Sequence, residues 1–152
     1  MVTTSSIPAF LDALADQLAA RADLVGVNVF SGPVNPTTAG RESIQLDSVE
    51  ATQRGRAGNG GRNESYDASG LIYITRPTPS GQTEQSIRDC RDRAFAILAA
   101  IEAELRAGHT VKQTVRRAEI TEYPLDQGAA PDGGRAARIS FTVHVETWLP
   151  TT

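Results

Sequence analysis

The stretch "TEQSIRDCRDRAFAILAAIEAELRAG", residues 83–108, carries apolar side chains at Ile87, Cys90, Ala94, Ile97, Leu98, Ile101 and Leu105. Spacing by three and four predicts one amphipathic helix over Thr83–Ala107, with Arg88, Asp89, Arg91, Asp92, Glu102 and Glu104 largely off the apolar stripe. Thr83 suits the cap, Glu84 the positive first turn and Gly108 the stop. Twenty-five helical residues make a rod of about 37 Å, long for a domain of this size.

Downstream, "ARISFTVHVETWL" (137–149) alternates strictly. Ala137, Ile139, Phe141, Val143 and Val145 share one face, while Arg138, Ser140, Thr142, His144 and Glu146 share the other, so one side of a sheet faces a core. "TVRRAEITEYPL" (114–125) predicts a second strand, joined to the first by the turn-rich "DQGAAPDGG", in which Asp126 and Asp132 are expected to form turns. Upstream, "ESIQLDSVEATQ" (42–53) and "ESYDASGLIYITRP" (64–77) read as two strands of a hairpin, with Gly70 marking a bulge or a close approach. Before them come an amphipathic helix with Ile7, Phe10, Leu11, Leu14 and Leu18, capped by Ser6, and a short strand, "VGVNVF" (25–30), with Val25, Val27 and Val29 on one face. The class expected is α+β: a mixed, mainly antiparallel sheet of four to five strands with two helices on one face, in a single domain over residues 1–152.

Length and charge narrow the function. A chain of 152 residues buries about 70% of its unfolded surface in one core. With 15 basic against 18 acidic residues the net charge is -3, which excludes coating duplex DNA by charge alone. The single cysteine, Cys90, excludes an internal disulfide and a cysteine metal cluster. The start "MVTTSSIP" lacks a signal peptide's pattern, and "AFAILAAI" (94–101) is too short to span a bilayer, so a soluble protein is expected.

Against that acidic background stands "QRGRAGNGGRNES" (53–65), with four glycines and three arginines. It is not a phosphate loop, since Gly60 is followed by Gly61 and Arg62 rather than lysine, and then by a strand rather than a helix. It interrupts two strands, whereas an RNA-binding arginine–glycine segment lies in a disordered tail. A mobile hairpin tip over residues 54–63 is the expectation, with a plain solvated loop as the alternative. His109 follows the helix C-terminus, where a cation is favoured, and His144 lies on a polar strand face; neither has ligands at metal spacing. Cys90 could pair with His144 as a nucleophile, but a thiol on a buried stripe is usually inert. No catalytic, cofactor-binding or metal residues are assigned, and Trp148 is read as either a core lid or an interface anchor.

The order helix, strand, long hairpin, long helix, two strands resembles the tail terminator, or tail completion, proteins of siphovirus-type tailed bacteriophages. The matching text is "IPAFLDALADQLAARADLVGVNVFSGP", "RESIQLDSVEATQ", "DCRDRAFAILAAIEAEL", "RRAEITEYPLDQG" and "GGRAARISFTVHVETWL", spread over nearly the whole chain. The resemblance implies a structural virion protein and no enzyme: a ring, usually a hexamer, that caps the head-proximal end of the tail tube in the neck, after assembly in the host cytoplasm. Its implied partners are further copies of itself, the major tail tube protein, the head–tail connector or stopper, and viral DNA passing through the lumen without sequence-specific binding. No membrane and no cofactor are implied. Within such a ring Arg54, Arg56 and Arg62 are expected to face the tube or the DNA, with sheet edges and the ends of the long helix joining neighbours. The alternatives are a head–tail stopper or adaptor, and a ferredoxin-like small-molecule-binding or enzymatic domain, since fold alone does not assign function.

Overall fold

The computed structural model describes residues 4–55 and 61–149. The long helix, α3, spans Thr83–Ala107 as its spacing predicts, burying Cys90, Ala94, Ile97, Leu98, Ile101 and Leu105. Beside it on the same sheet face lies α1, Ile7–Ala19, which buries Phe10, Ala13, Leu14 and Leu18. The chain then runs through a single 3-10 turn, Ala22–Leu24, and the strand β1, Asn28–Phe30. A four-residue helix α2, Pro36–Ala39, follows, capped by Asn35, whose side chain accepts from the Thr38 N–H at 2.8 Å.

Among the described residues the sheet is mixed and has six strands. Three long ones form its centre, β2, Glu42–Gly55, β3, Arg62–Arg76, and β6, Arg135–Leu149, with β3 antiparallel to both of the others. Outside β2 lies β1, in parallel register with Ser43–Gln45 only. Outside β6 lie β4, Arg117–Glu122, and β5, Leu125–Ala129, end to end. The sixth strand arises because the segment expected as one strand over 114–125 divides. Pro124 has no N–H for the ladder, and the register against β6 shifts between Ile120 and Glu122. Pairing resumes at Leu125 and continues through Asp126, Gln127 and Gly128, so Asp126 is a strand residue rather than a turn former. Asp132 does form a turn, accepting from the Gly134 N–H at 3.0 Å.

One face of the sheet packs on the helices as the alternation in β6 predicts. Ala137, Ile139, Phe141, Val143 and Val145 join Leu14, Leu18, Leu98, Ile101 and Leu105 in one buried cluster. Gly70 is a close approach: a Cβ there would lie 2.2 Å from the Phe141 ring, so the ring occupies the space a side chain would need. The bulge sits opposite, where the β2 register shifts between Leu46 and Val49. Of the three valines expected on one strand face only Val29 lies in β1, half-buried; Val27, just ahead of it, is half-buried too, and Val25 is exposed.

Ion pairs hold α3 to the sheet at Arg93 and to the segment after α1 at Glu104. Glu42 on β2 receives Arg93 of α3 at 3.0 Å and also pairs with Arg76 of β3. Arg21, after α1, bridges Asp23 at 2.8 Å and Glu104 of α3 at 2.6 Å. These contacts fix α3 across the strands and so fix where its C-terminal end meets β4.

Candidate assembly surfaces

At the hairpin end, β2 and β3 stay paired through Arg54 with Asn63 and Gly55 with Arg62. The irregular segment expected over 54–63 is therefore narrower by those four positions. Arg56 lies outside the described residues, as does the expected mobility of the segment 56–60 around it. Side chains alternate across a strand, and Arg54 falls in one cross-strand row with Asn63 and Trp148, on the face away from the helices. Arg62 falls in the next row, with Gly55 and Leu149, on the helix face. The sequence thus groups two arginines that the pleat sends to opposite faces. Trp148 is 41% exposed and its ring covers Gly61, where a Cβ would come within 2.2 Å of the indole nitrogen. It lies on the face away from the helices, so it covers the hairpin exit rather than the core, and its edge is open to solvent.

One row further in stands Glu64, a buried carboxylate that sequence reading passed over. Its Oε1 accepts from the Ser6 N–H at 2.9 Å and from the Ser6 hydroxyl at 2.6 Å, and its Oε2 accepts from Gln53 Nε2 at 3.0 Å. Ser6 therefore does not cap α1 with its own side chain, as expected from sequence; Glu64 brings negative charge to the helix N-terminus instead. Burial pushes this carboxyl upward, but the hydrogen bonds from Ser5, Ser6 and Gln53 together outweigh it and hold the group below its ordinary value. The available signal was parity: Glu64 occupies the same strand face as Tyr66, Ala68 and Ile72.

The face away from the helices is polar. His144 Nδ1 lies 2.8 Å from Asp67 and its Nε2 3.5 Å from Glu146. The Asp67 hydrogen bond raises the imidazole above its ordinary value near 6.5, against partial desolvation and with help from Glu146. A raised folded value means that the pair stabilises most when the imidazole is charged, below 6.5, and that the contribution fades as pH rises through the folded value. We expect the His144 titration followed by NMR to have its midpoint above 6.5 and to move down toward it in Asp67→Asn; an unchanged midpoint would rule out the assigned cause.

Cys90 is 1% exposed and lies on α3, across the sheet from His144, so the two cannot form a nucleophile pair. Burial pushes its thiol up, which leaves it unreactive. Among the described residues no group of three or more His, Cys, Asp or Glu is placed to hold a metal ion, and no helix is long and apolar enough to cross a membrane.

A groove of about 540 Å³ opens between the end of α3 and β4, lined by Leu105, Ala118 and Ile120 below and by Arg106, His109, Arg116 and Arg117 at the rim, with Glu102 and Glu119. The connection that forms it turns through three successive left-handed residues, Val111, Lys112 and Gln113, at φ 45, 54 and 62°. Such backbone is costly for side chains other than glycine. Val111 is fully buried and its carbonyl accepts from the Thr114 hydroxyl at 2.7 Å, which holds the turn in place.

The sheet has two open edges among the described residues. Beyond Gln45, β2 has β3 as its only strand neighbour, and β4 has only β6. The class defined by these features is an α+β domain with one helical layer on a mixed sheet, one polar sheet face and two unpaired edges. No protein-family model matches the chain, and no curated protein does. Among solved structures it is similar to a chain of the "virion of native gene transfer agent (GTA) particle", at 16% identity and a TM-score of 0.49, with 95% of this chain and 99% of that chain covered.

Proposed function

We propose that this protein is a structural virion component of tailed-phage type, a tail terminator that forms a ring at the head-proximal end of the tail tube, stops tube polymerisation and joins the tail to the head connector. The reading rests on the order of elements that the resemblance describes. The observation that carries it in three dimensions is the pair of open edges on opposite sides of one continuous sheet. A head-to-tail contact that uses two different surfaces of each subunit closes into a ring when its rotation closes. The long hairpin ends in Arg54 and Arg62, and we place that end against the tube or the DNA in the bore.

The test is the mass of the purified protein over a concentration series, with negative-stain microscopy, alone and with tail tubes. Rings, most simply of six subunits, are expected; a monomer in both settings would overturn the reading. A variant with Arg54, Arg56 and Arg62 all changed to Gln separates the hairpin's role from folding. Arg54 is exposed and Arg62 half-buried, with its Nη1 3.4 Å from the Gln53 side chain. The melting transition should therefore move by no more than about 1 kcal/mol in stability. Particles lacking the protein should regain fewer normal-length, head-joined tails with this variant than with the wild type, and full restoration would remove the loop from the assembly role.

A further inference from the structure

We propose that the basic groove at the β4 edge takes the acidic open edge of β2 from a second copy of this chain, so that the sheet continues from one subunit into the next. This rests on the ring reading above and names the two surfaces that make its contact.

The groove asks for a particular ligand chemistry. Its lining sets Arg106, Arg116 and Arg117 against Glu102 and Glu119; Arg106 is paired with Glu102 at 3.6 Å, which leaves Arg116 and Arg117 as the cations that face outward. Arg116 is exposed and makes no ion pair among the described residues; Arg117 is held only by Glu119, at 2.9 Å, both well exposed. Below this rim the floor is apolar, and alongside it β4 leaves one row of backbone N–H and C=O groups without a strand partner among the described residues. A nucleic acid would use the charges alone. A floor, a rim and an open backbone ladder together fit an extended peptide with carboxylates beside an apolar side chain, bound as an added strand.

The opposite edge of the same sheet has that chemistry. Residues 46–52 read "LDSVEAT", with Asp47 and Glu50 exposed and Val49 between them half-buried. Neither acid makes an ion pair among the described residues, and β1 stops short of both. Strand direction also agrees. Because β2 is antiparallel to β3, β3 to β6 and β6 to β4, β2 and β4 run in opposite directions within one subunit. A copy generated by rotation about an axis along the strands keeps its direction, so its β2 meets β4 antiparallel. Each joint pairs the open stretch of β2 from one subunit with β4 of the next, and closure covers both in every subunit.

Charge reversal tests the pairing, because all four residues are exposed and their replacement leaves the core untouched. Arg116→Glu with Arg117→Glu, and separately Asp47→Arg with Glu50→Arg, should each place like charges across the joint. Each should raise the concentration needed for assembly by about a hundredfold, read by analytical ultracentrifugation, with unchanged circular dichroism. All four changes in one chain should restore assembly, since the pairs are then opposite again. Double variants that assemble as the wild type does, or a fourfold variant that stays dissociated, overturn this pairing. A wild-type ring indifferent to the reversals leaves the ring reading standing and removes this contact. A wild type that is monomeric both alone and with tail tubes removes both.

Discussion

Replacing Phe141 by alanine is expected to lower folding stability by about 3–5 kcal/mol, the range for a buried phenylalanine truncated in a packed core. Phe141 is 1% exposed and sits on β6 between Ile139 and Val143, facing the two helices. Its ring also fills the space over Gly70 on the neighbouring strand, in register with it. The two positions are therefore one packing unit. In the wild type, Gly70→Ala forces a methyl into the ring and should cost about 1–3 kcal/mol as overpacking. In the Phe141→Ala background the same change enters an empty space, and the penalty should vanish or reverse. Chemical denaturation of the four species measures the coupling. Additive effects would show that the ring does not lie over Gly70.

The second large effect is expected at Glu64. Removing its carboxylate with Glu64→Ala strands the buried Ser6 N–H, leaving the Ser6 hydroxyl to Tyr66 at 3.0 Å and the exposed Gln53 amide to Thr4 and solvent, and should cost about 1–3 kcal/mol. Glu64→Gln keeps the shape and one acceptor, so it should cost less. The pH dependence distinguishes this from loss of packing. The folded carboxyl sits below its ordinary value near 4.5. Its contribution is therefore fully present above 4.5 and is lost as pH falls from there through the folded value. The stability gap between wild type and Glu64→Gln should be widest at neutral pH and shrink in acid. A gap that does not change with pH would mean that the charge on Glu64 contributes nothing to folding.

Glu64 also marks where sequence reasoning stops. The α3 helix over Thr83–Ala107 and the buried face of β6 were legible because each depends on a repeat written within one segment, of 3.6 residues in a helix and two in a strand. The chain's α+β class and the packing of Phe141 with Leu14, Leu18, Leu98, Ile101 and Leu105 follow from those faces once they are brought together. Local breaks were legible in type but not always in place. Pro124 interrupts the penultimate strand, yet "DQG" after it pairs as β5, because a long partner, β6, offers backbone groups that satisfy it better than a turn would.

The candidate surfaces are a different matter. Arg54 and Arg62 look like one cluster in the sequence, but they belong to successive rows of a pleated sheet and point to opposite faces. Ser6 reads as a helix cap, but its hydroxyl and N–H turn to Glu64, 58 residues away in the chain. The acidic edge at Asp47 and Glu50 and the basic groove at Arg116 and Arg117 lie on opposite sides of the sheet only because β3 and β6 come between them. The sequence by itself determined the two main helices, the long strands and which face of each is apolar, since these follow from periodicity and burial of nearby side chains. Only the tertiary structure decided which strand edges remain open, which charges share a face and which buried carboxylate binds α1. Those depend on the order in which strands far apart in the chain pair with one another, and no local spacing encodes that order.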